Sequence, residues 1–117
     1  MRTDITVAFV LSSGRTGTVH LTRSLERAFP RVHAVHEPAG ARSQLMLANA
    51  SNLLSGRRTV TRAWFQRNLQ RRLRTLDADT LYVEVNPMLC SLTDLVAELD
   101  RPFDLVHAVR DPRTWVP

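Results

Sequence analysis

The chain contains no lysine: all sixteen of its basic residues are arginine. That excludes a lysine nucleophile, a Schiff base and the lysine of a standard phosphate-binding loop. There is one cysteine, Cys90, so neither a disulfide framework nor a cysteine-based zinc site is available. Glycine occurs four times and proline six, which excludes collagen-like and low-complexity compositions. No apolar run reaches the ~18 residues that a membrane span requires. The short apolar stretch near the N-terminus is interrupted by Asp4 and followed by a Gly-containing loop, unlike a secretory leader. A reduced, cytoplasmic setting is the expectation.

What is present fits one small domain. The length of 117 residues allows one hydrophobic core, and 44% of the residues are hydrophobic. The net charge is +5. Arginine suits planar, bidentate capture of phosphate or sulfate.

The pattern along the chain alternates strand and helix. Residues 5–11 are apolar and rich in β-branched side chains, as in a buried parallel strand. Val19, Leu21, Leu25, Ala28 and Phe29 then follow helical spacing until Pro30. Residues 31–36 predict a second strand, 41–54 a helix carrying Leu45, Met46 and Ala48, and 59–76 a longer helix. In the longer helix Val60, Trp64, Phe65, Leu69, Leu73 and Leu76 are expected to form the buried face. Arg62, Arg67, Arg71, Arg72 and Arg74 are expected to form the outer face. Residues 57–74 hold seven arginines in all. Residues 81–85 predict a third strand. Ser91 is expected to cap a short helix lined by Leu92, Leu95, Val96 and Leu99, and residues 103–109 predict a fourth strand. This rhythm implies an α/β fold with a mostly parallel central sheet flanked by helices, a three-layer arrangement.

Two segments carry chemistry. Ser12-Ser13-Gly14-Arg15-Thr16-Gly17-Thr18 sits between the first strand and the first helix. Two glycines let the backbone curl, the helix N-terminus adds partial positive charge, and Arg15 adds formal charge: the requirements of an anion-binding loop. A plain strand-to-helix turn capped by Ser and Thr is the alternative. The loop is not a Walker motif, which needs four residues between its glycines and then a lysine. The second segment is Arg110-Asp111-Pro112, at the end of the fourth strand. Ligands of open α/β sheets bind outside the carboxyl ends of strands, so Arg110 belongs to the same sheet edge as the loop.

Together these segments resemble the sulfotransferases that use 3′-phosphoadenosine 5′-phosphosulfate, a family with a P-loop-like fold. The resemblance runs from about Ile5 to the C-terminus. It implies that Arg15-Thr16-Gly17-Thr18, with Ser13 and Gly14, binds the 5′-phosphosulfate and that Arg110 binds the 3′-phosphate. It further implies a sulfuryl transfer to a hydroxyl or amine acceptor, with no metal. Glu37, in His36-Glu37-Pro38, matches by position the glutamate that serves as base in one branch of the family, and Arg15 is the charged catalytic group. His36 is a neighbouring candidate for the base. Glu84 and Asn86, at the third strand's end, are the next candidate site, as groups that orient the acceptor, hold Arg15 or cap backbone. The family continues with helices and a nucleotide-covering segment beyond its Arg-Asp-Pro motif. Residues 1–117 are therefore expected to be a single, partial nucleotide-binding domain, truncated or inactive. The partners implied are the nucleotide co-substrate and an acceptor, without nucleic acid. Two other readings stay open: a nucleotide-binding kinase-like protein, and an Arg-rich nucleic-acid module built on the 57–74 stripe.

Overall fold

The computed structural model describes residues 5–12, 17–38, 40–54, 59–109 and 113. Four strands form one sheet: β1 (Thr6–Ser12), β2 (Val32–His36), β3 (Leu81–Val85) and β4 (Asp104–Ala108). Their order is β2-β3-β1-β4, and every pairing is parallel. Helix α1 (Thr18–Ala28) connects β1 to β2. Helices α2 (Ala41–Leu54) and α3 (Thr59–Leu73) connect β2 to β3. A 3₁₀ turn (Pro87–Ser91) and the short α4 (Thr93–Ala97) connect β3 to β4. The expected α/β architecture, a parallel sheet with helices on both faces, is what the chain adopts.

Parallel strands need crossovers, and right-handed crossovers running in opposite directions lie on opposite faces of the sheet. The β1-to-β2 crossover runs one way and places α1 on one face. There Leu21 and Leu25 pack with Val10, Ala34, Val83 and Val85. The β2-to-β3 and β3-to-β4 crossovers run the other way. On that face Phe65, Leu69 and Leu73 of α3 pack with Val7 and Phe9 of β1, Tyr82 of β3, and Leu89, Leu92, Leu95 and Val96. Phe9 lies at the middle of this core, fully buried, with its ring against Phe65 and edge-on to Phe103. Strand β1 is therefore buried on both sides, which explains its unbroken apolar run.

Several expectations need correction. Val19 and Phe29 are 45% and 54% exposed. The row of α1 facing the sheet is Thr18, Leu21, Thr22 and Leu25, at spacings of three and four; Val19 lies off that row, and Phe29 is past the helix end in extended conformation. In α3 the buried row is Thr61, Phe65, Leu69 and Leu73. A step of four residues defines it, and Val60 and Trp64, one position earlier at each turn, fall outside the core. Arg72 lies on the inner side, not with the outer arginines, and reaches Glu84. Helix α3 ends at Leu73, with residues 74–76 in a turn. The short helix that Ser91 was expected to cap begins at Thr93, with Leu92 before it; Ser91 ends the 3₁₀ turn, and its hydroxyl donates to the Met88 carbonyl at 2.8 Å.

Strand β4 forms one edge of the sheet and is the least covered element. Leu105 and Val106, on opposite faces, are both about half exposed. Truncating Phe9 to alanine removes an aromatic ring from the fully enclosed face. We expect a loss of about 3–5 kcal/mol, read as a lowered urea midpoint. A shift below about 1 kcal/mol would mean that Phe9 is not central to the core.

Candidate functional site

The chain leaves β1 toward the α1 face and leaves the adjacent β3 toward the opposite face. Neighbouring strands that part in this way open a crevice beyond their carboxyl ends, the usual ligand position in open α/β sheets. A cavity of about 580 Å³ lies on this edge, lined by Gly17, Thr18, Arg23, His36, Glu37 and Pro87 among others.

Gly17 provides the entry to α1. Its φ is +78°, a left-handed conformation that an L side chain enters at a cost of about 1–2 kcal/mol. Space is not the constraint, since an added Cβ would meet no atom within 4 Å. The Gly17 carbonyl accepts from the Leu21 N–H at 2.9 Å, and among the described residues no side chain caps the helix. The N–H groups of the first turn, with no acid among its residues, give this end of the cavity positive character.

The Thr18 hydroxyl, expected from the sequence to face an anion, already has a partner. It lies 2.9 Å from His36 Nε2, so the start of α1 is tied to the end of β2. Thr22 donates to the Thr18 carbonyl at 2.8 Å. Ser12, the last residue of β1, is 1% exposed, and its hydroxyl has no hydrogen-bond partner among the described residues. Strand alternation puts it on the α1 face with Ala8 and Val10. A buried orphan hydroxyl is worth about 1–3 kcal/mol to whatever satisfies it. This one stands immediately before the 13–16 loop.

Glu37 follows β2 with φ +43°, a second left-handed residue and here not a glycine. Its N–H donates to the Val85 carbonyl at 3.1 Å, which binds it to the end of β3, while the residue itself is exposed. Backbone strain of this kind, held by a neighbouring strand, is typical of functional loops. His36 and Glu37 both line the cavity, although adjacent strand residues ordinarily point apart. The left-handed turn at Glu37 breaks the alternation.

Glu84, the next candidate, lies elsewhere. It is fully buried on the α3 face. Arg72 Nη1 approaches it at 3.4 Å, Tyr82 donates its hydroxyl at 3.4 Å, and Asn86 Nδ2 donates at 3.3 Å. Burial raises the Glu84 pKa above its ordinary value; Arg72, Asn86 and Tyr82 oppose that rise. Tyr82 is also pushed upward, by burial first and then by the Glu84 charge. Asn86 Oδ1 accepts from the Met88 N–H at 3.0 Å and caps the 3₁₀ turn. The Glu84–Asn86 pair thus holds a strand end and an arginine of α3, not a cavity wall. Among the described residues no group of His, Cys, Asp and Glu could hold a metal ion.

Of the residues singled out from the sequence, Ser13, Gly14, Arg15, Thr16 and Arg110 lie outside the described residues. Their strands do not. Ser12 is paired with Ala108 across the β1–β4 ladder. The 13–16 and 109–112 segments therefore leave from neighbouring strand ends, which stand about 4.8 Å apart. Sequence reasoning missed the Thr18–His36 contact and the buried Ser12. Alternation within an apolar run gives no sign of which strand end will adjoin which.

Comparison of the chain with protein-family models, with curated proteins and with solved structures finds no match.

The raised Glu84 pKa has a definite sign. The folded state holds the proton more tightly than the unfolded state, so this residue's contribution falls as pH rises from its ordinary value of 4.5 toward the folded one. Glu84→Gln, which cannot ionise, is expected to flatten the decline of stability across that window. Urea unfolding at a series of pH values tests this, and an unchanged slope in the variant would show that Glu84 is not its source.

Proposed function

We propose that this chain is built for sulfuryl transfer from 3′-phosphoadenosine 5′-phosphosulfate to a hydroxyl or amine. The observation that carries this reading is the Ser12–Ala108 pairing. It starts the Arg15-Thr16-Gly17-Thr18 and Arg110-Asp111-Pro112 segments from adjacent strand ends, beside a cavity edged by Gly17, Thr18, His36 and Glu37. A doubly phosphorylated nucleotide needs two anion sites a short distance apart, and two basic loops on one sheet edge meet that need. The N-terminus of α1, which no described side chain caps, and the Ser12 hydroxyl, without a partner among the described residues, fit a donor-rich anion cradle.

In this reading the bound nucleotide supplies an already activated sulfuryl group. Arg15 and the loop amides stabilise the charge that develops on its oxygens. Arg15 keeps its proton, so its contribution is electrostatic. Arg110 holds the 3′-phosphate. Glu37, on the cavity wall, takes the acceptor's proton as the new S–O or S–N bond forms and the bond from sulfur to the nucleotide's 5′-phosphate oxygen breaks, releasing 3′-phosphoadenosine 5′-phosphate. His36 is the lesser candidate for that base because its Nε2 already contacts Thr18; its role is to hold the start of α1 in place.

Calorimetric titration with 3′-phosphoadenosine 5′-phosphate tests the reading. Binding should weaken at least about tenfold in Arg15→Ala and in Arg110→Ala, as expected for loss of a charge-assisted contact. Glu37→Gln should bind the nucleotide normally and lose transfer by about 10²-fold or more. Absence of binding, indifference to both arginine changes, or tighter binding of ATP with Mg²⁺ would overturn the assignment.

A further inference from the structure

The arginines are not spread evenly. Residues 38–76 contain eight of the sixteen arginines and none of the eleven acidic residues, leaving the rest of the chain eight arginines against eleven acids. This acid-free stretch comprises α2 and α3, which pack on one face of the sheet through Ala48, Phe65, Leu69 and Leu73. These two helices therefore contribute no carboxylate of their own, and the one ion pair on the outer side of α3 among the described residues is Arg62 with Glu98.

The side of α3 opposite its buried row carries a regular stripe. Val60, Trp64, Arg67 and Arg71 recur at steps of four and three residues, one line about 16 Å long on the helix surface, and Arg74 continues it in the turn that follows. All five are exposed, Val60 at 67% and Trp64 at 42%. Of the α3 arginines, Arg62 is paired with Glu98 at 2.7 Å and Arg72 is turned in toward Glu84. Arg67, Arg71 and Arg74 are in no ion pair with a described residue. On α2, Met46 is 71% exposed and Arg42 is also exposed.

We propose that the outer face of α2 and α3 docks on an anionic lipid bilayer, with Arg67, Arg71 and Arg74 at the headgroups and Val60, Trp64 and Met46 in the interface. The complementarity is twofold. Arginines near an anionic leaflet each contribute favourably, and the effect is additive over a patch free of opposing charge. Valine and tryptophan side chains in the same row as those arginines, and an exposed methionine on α2, have no use for a purely polar partner but gain from the acyl boundary, where tryptophan's amphipathic ring is at home. A nucleic acid would use the arginines and the tryptophan and leave Val60 and Met46 in water. The negative balance of the remaining chain turns this face, and no other, toward the bilayer. The docking is peripheral: no helix among the described residues is long and apolar enough to cross a membrane. It is independent of the reaction proposed above.

Flotation with lipid vesicles, together with Trp64 emission in a Trp115→Phe background, tests this docking. The chain should float with phosphatidylcholine vesicles containing about one third phosphatidylserine and stay behind with phosphatidylcholine alone. Trp64 emission should shift to the blue only with the former, and high salt should release the protein. Reversing Arg67, Arg71 and Arg74 to glutamate should weaken partitioning by at least about 100-fold. Val60→Ser with Trp64→Ser should weaken it about tenfold while leaving the salt dependence in place. Should the reversed variant fail to fold, as judged by circular dichroism, the salt and lipid dependence of the unaltered chain still decides. Equal partitioning to neutral vesicles, no partitioning, or a folded charge-reversed variant that floats undiminished would overturn the proposal. So would quenching of Trp64 by a single-stranded oligonucleotide with no response to vesicles.

Discussion

Strand β1 pairs in parallel with β3 on one side and β4 on the other, and both of its faces are covered. Because parallel strands share a direction, their carboxyl ends collect on one edge of the sheet. Because crossovers keep one hand, the exits from β1 and β3 part to opposite faces. The crevice, the left-handed Gly17, the contact of Thr18 with His36 and the tether from Glu37 to Val85 all stand on that edge. A different neighbour for β1 would scatter them. The site is thus a consequence of backbone pairing before it is a matter of side chains.

Polar groups are handled differently on the two faces. On the α3 face, Glu84 is buried within a set of donors, and Asn86 links that set to the cap of the 3₁₀ turn. Removing one member strands the others in a poorly solvating interior, so the cluster fixes how α3 and the end of β3 meet. Cys90 adds a weak tie from its thiol to the Ser12 carbonyl at 3.4 Å. On the α1 face the buried hydroxyls of Thr18 and Thr22 are satisfied, and that of Ser12 has no partner among the described residues. The unsatisfied atom lies at the exit of the central strand, where a ligand's polar atoms have the most to offer.

Much of the fold was readable in the sequence because its signals are local. The apolar run of β1, Pro30 after α1, and the short alternations of β2 and β3 each report a single element. Which face an element turns inward was less readable. Val60 and Trp64 are core residues by type, and only the stricter four-residue step of Thr61, Phe65, Leu69 and Leu73 excludes them. A threonine in that row hides the signal from any reading based on hydrophobicity. Likewise Arg72 has the composition of an outer residue but the geometry of an inner one, because a carboxylate 12 positions away in sequence is buried opposite it. The candidate site was legible as two motifs. Their proximity rests on register, a long-range property to which no short segment testifies.

The exposed flanks of β4 bear on how the molecule behaves in company. Among the described residues no strand pairs with its outer edge, a ladder of backbone donors and acceptors, and Leu105 and Val106 present apolar surface above and below it. Natural sheets usually blunt such an edge with lysine, proline or a bulge. This strand has none of these, only Asp104 at its start and His107 near its end. The rim is therefore adhesive, and any extended segment that reached it would be held first by the backbone and then by its side chains. At high concentration the tendency of this chain to self-associate should be set at β4, by its exposed flanks, more than by its surface charge.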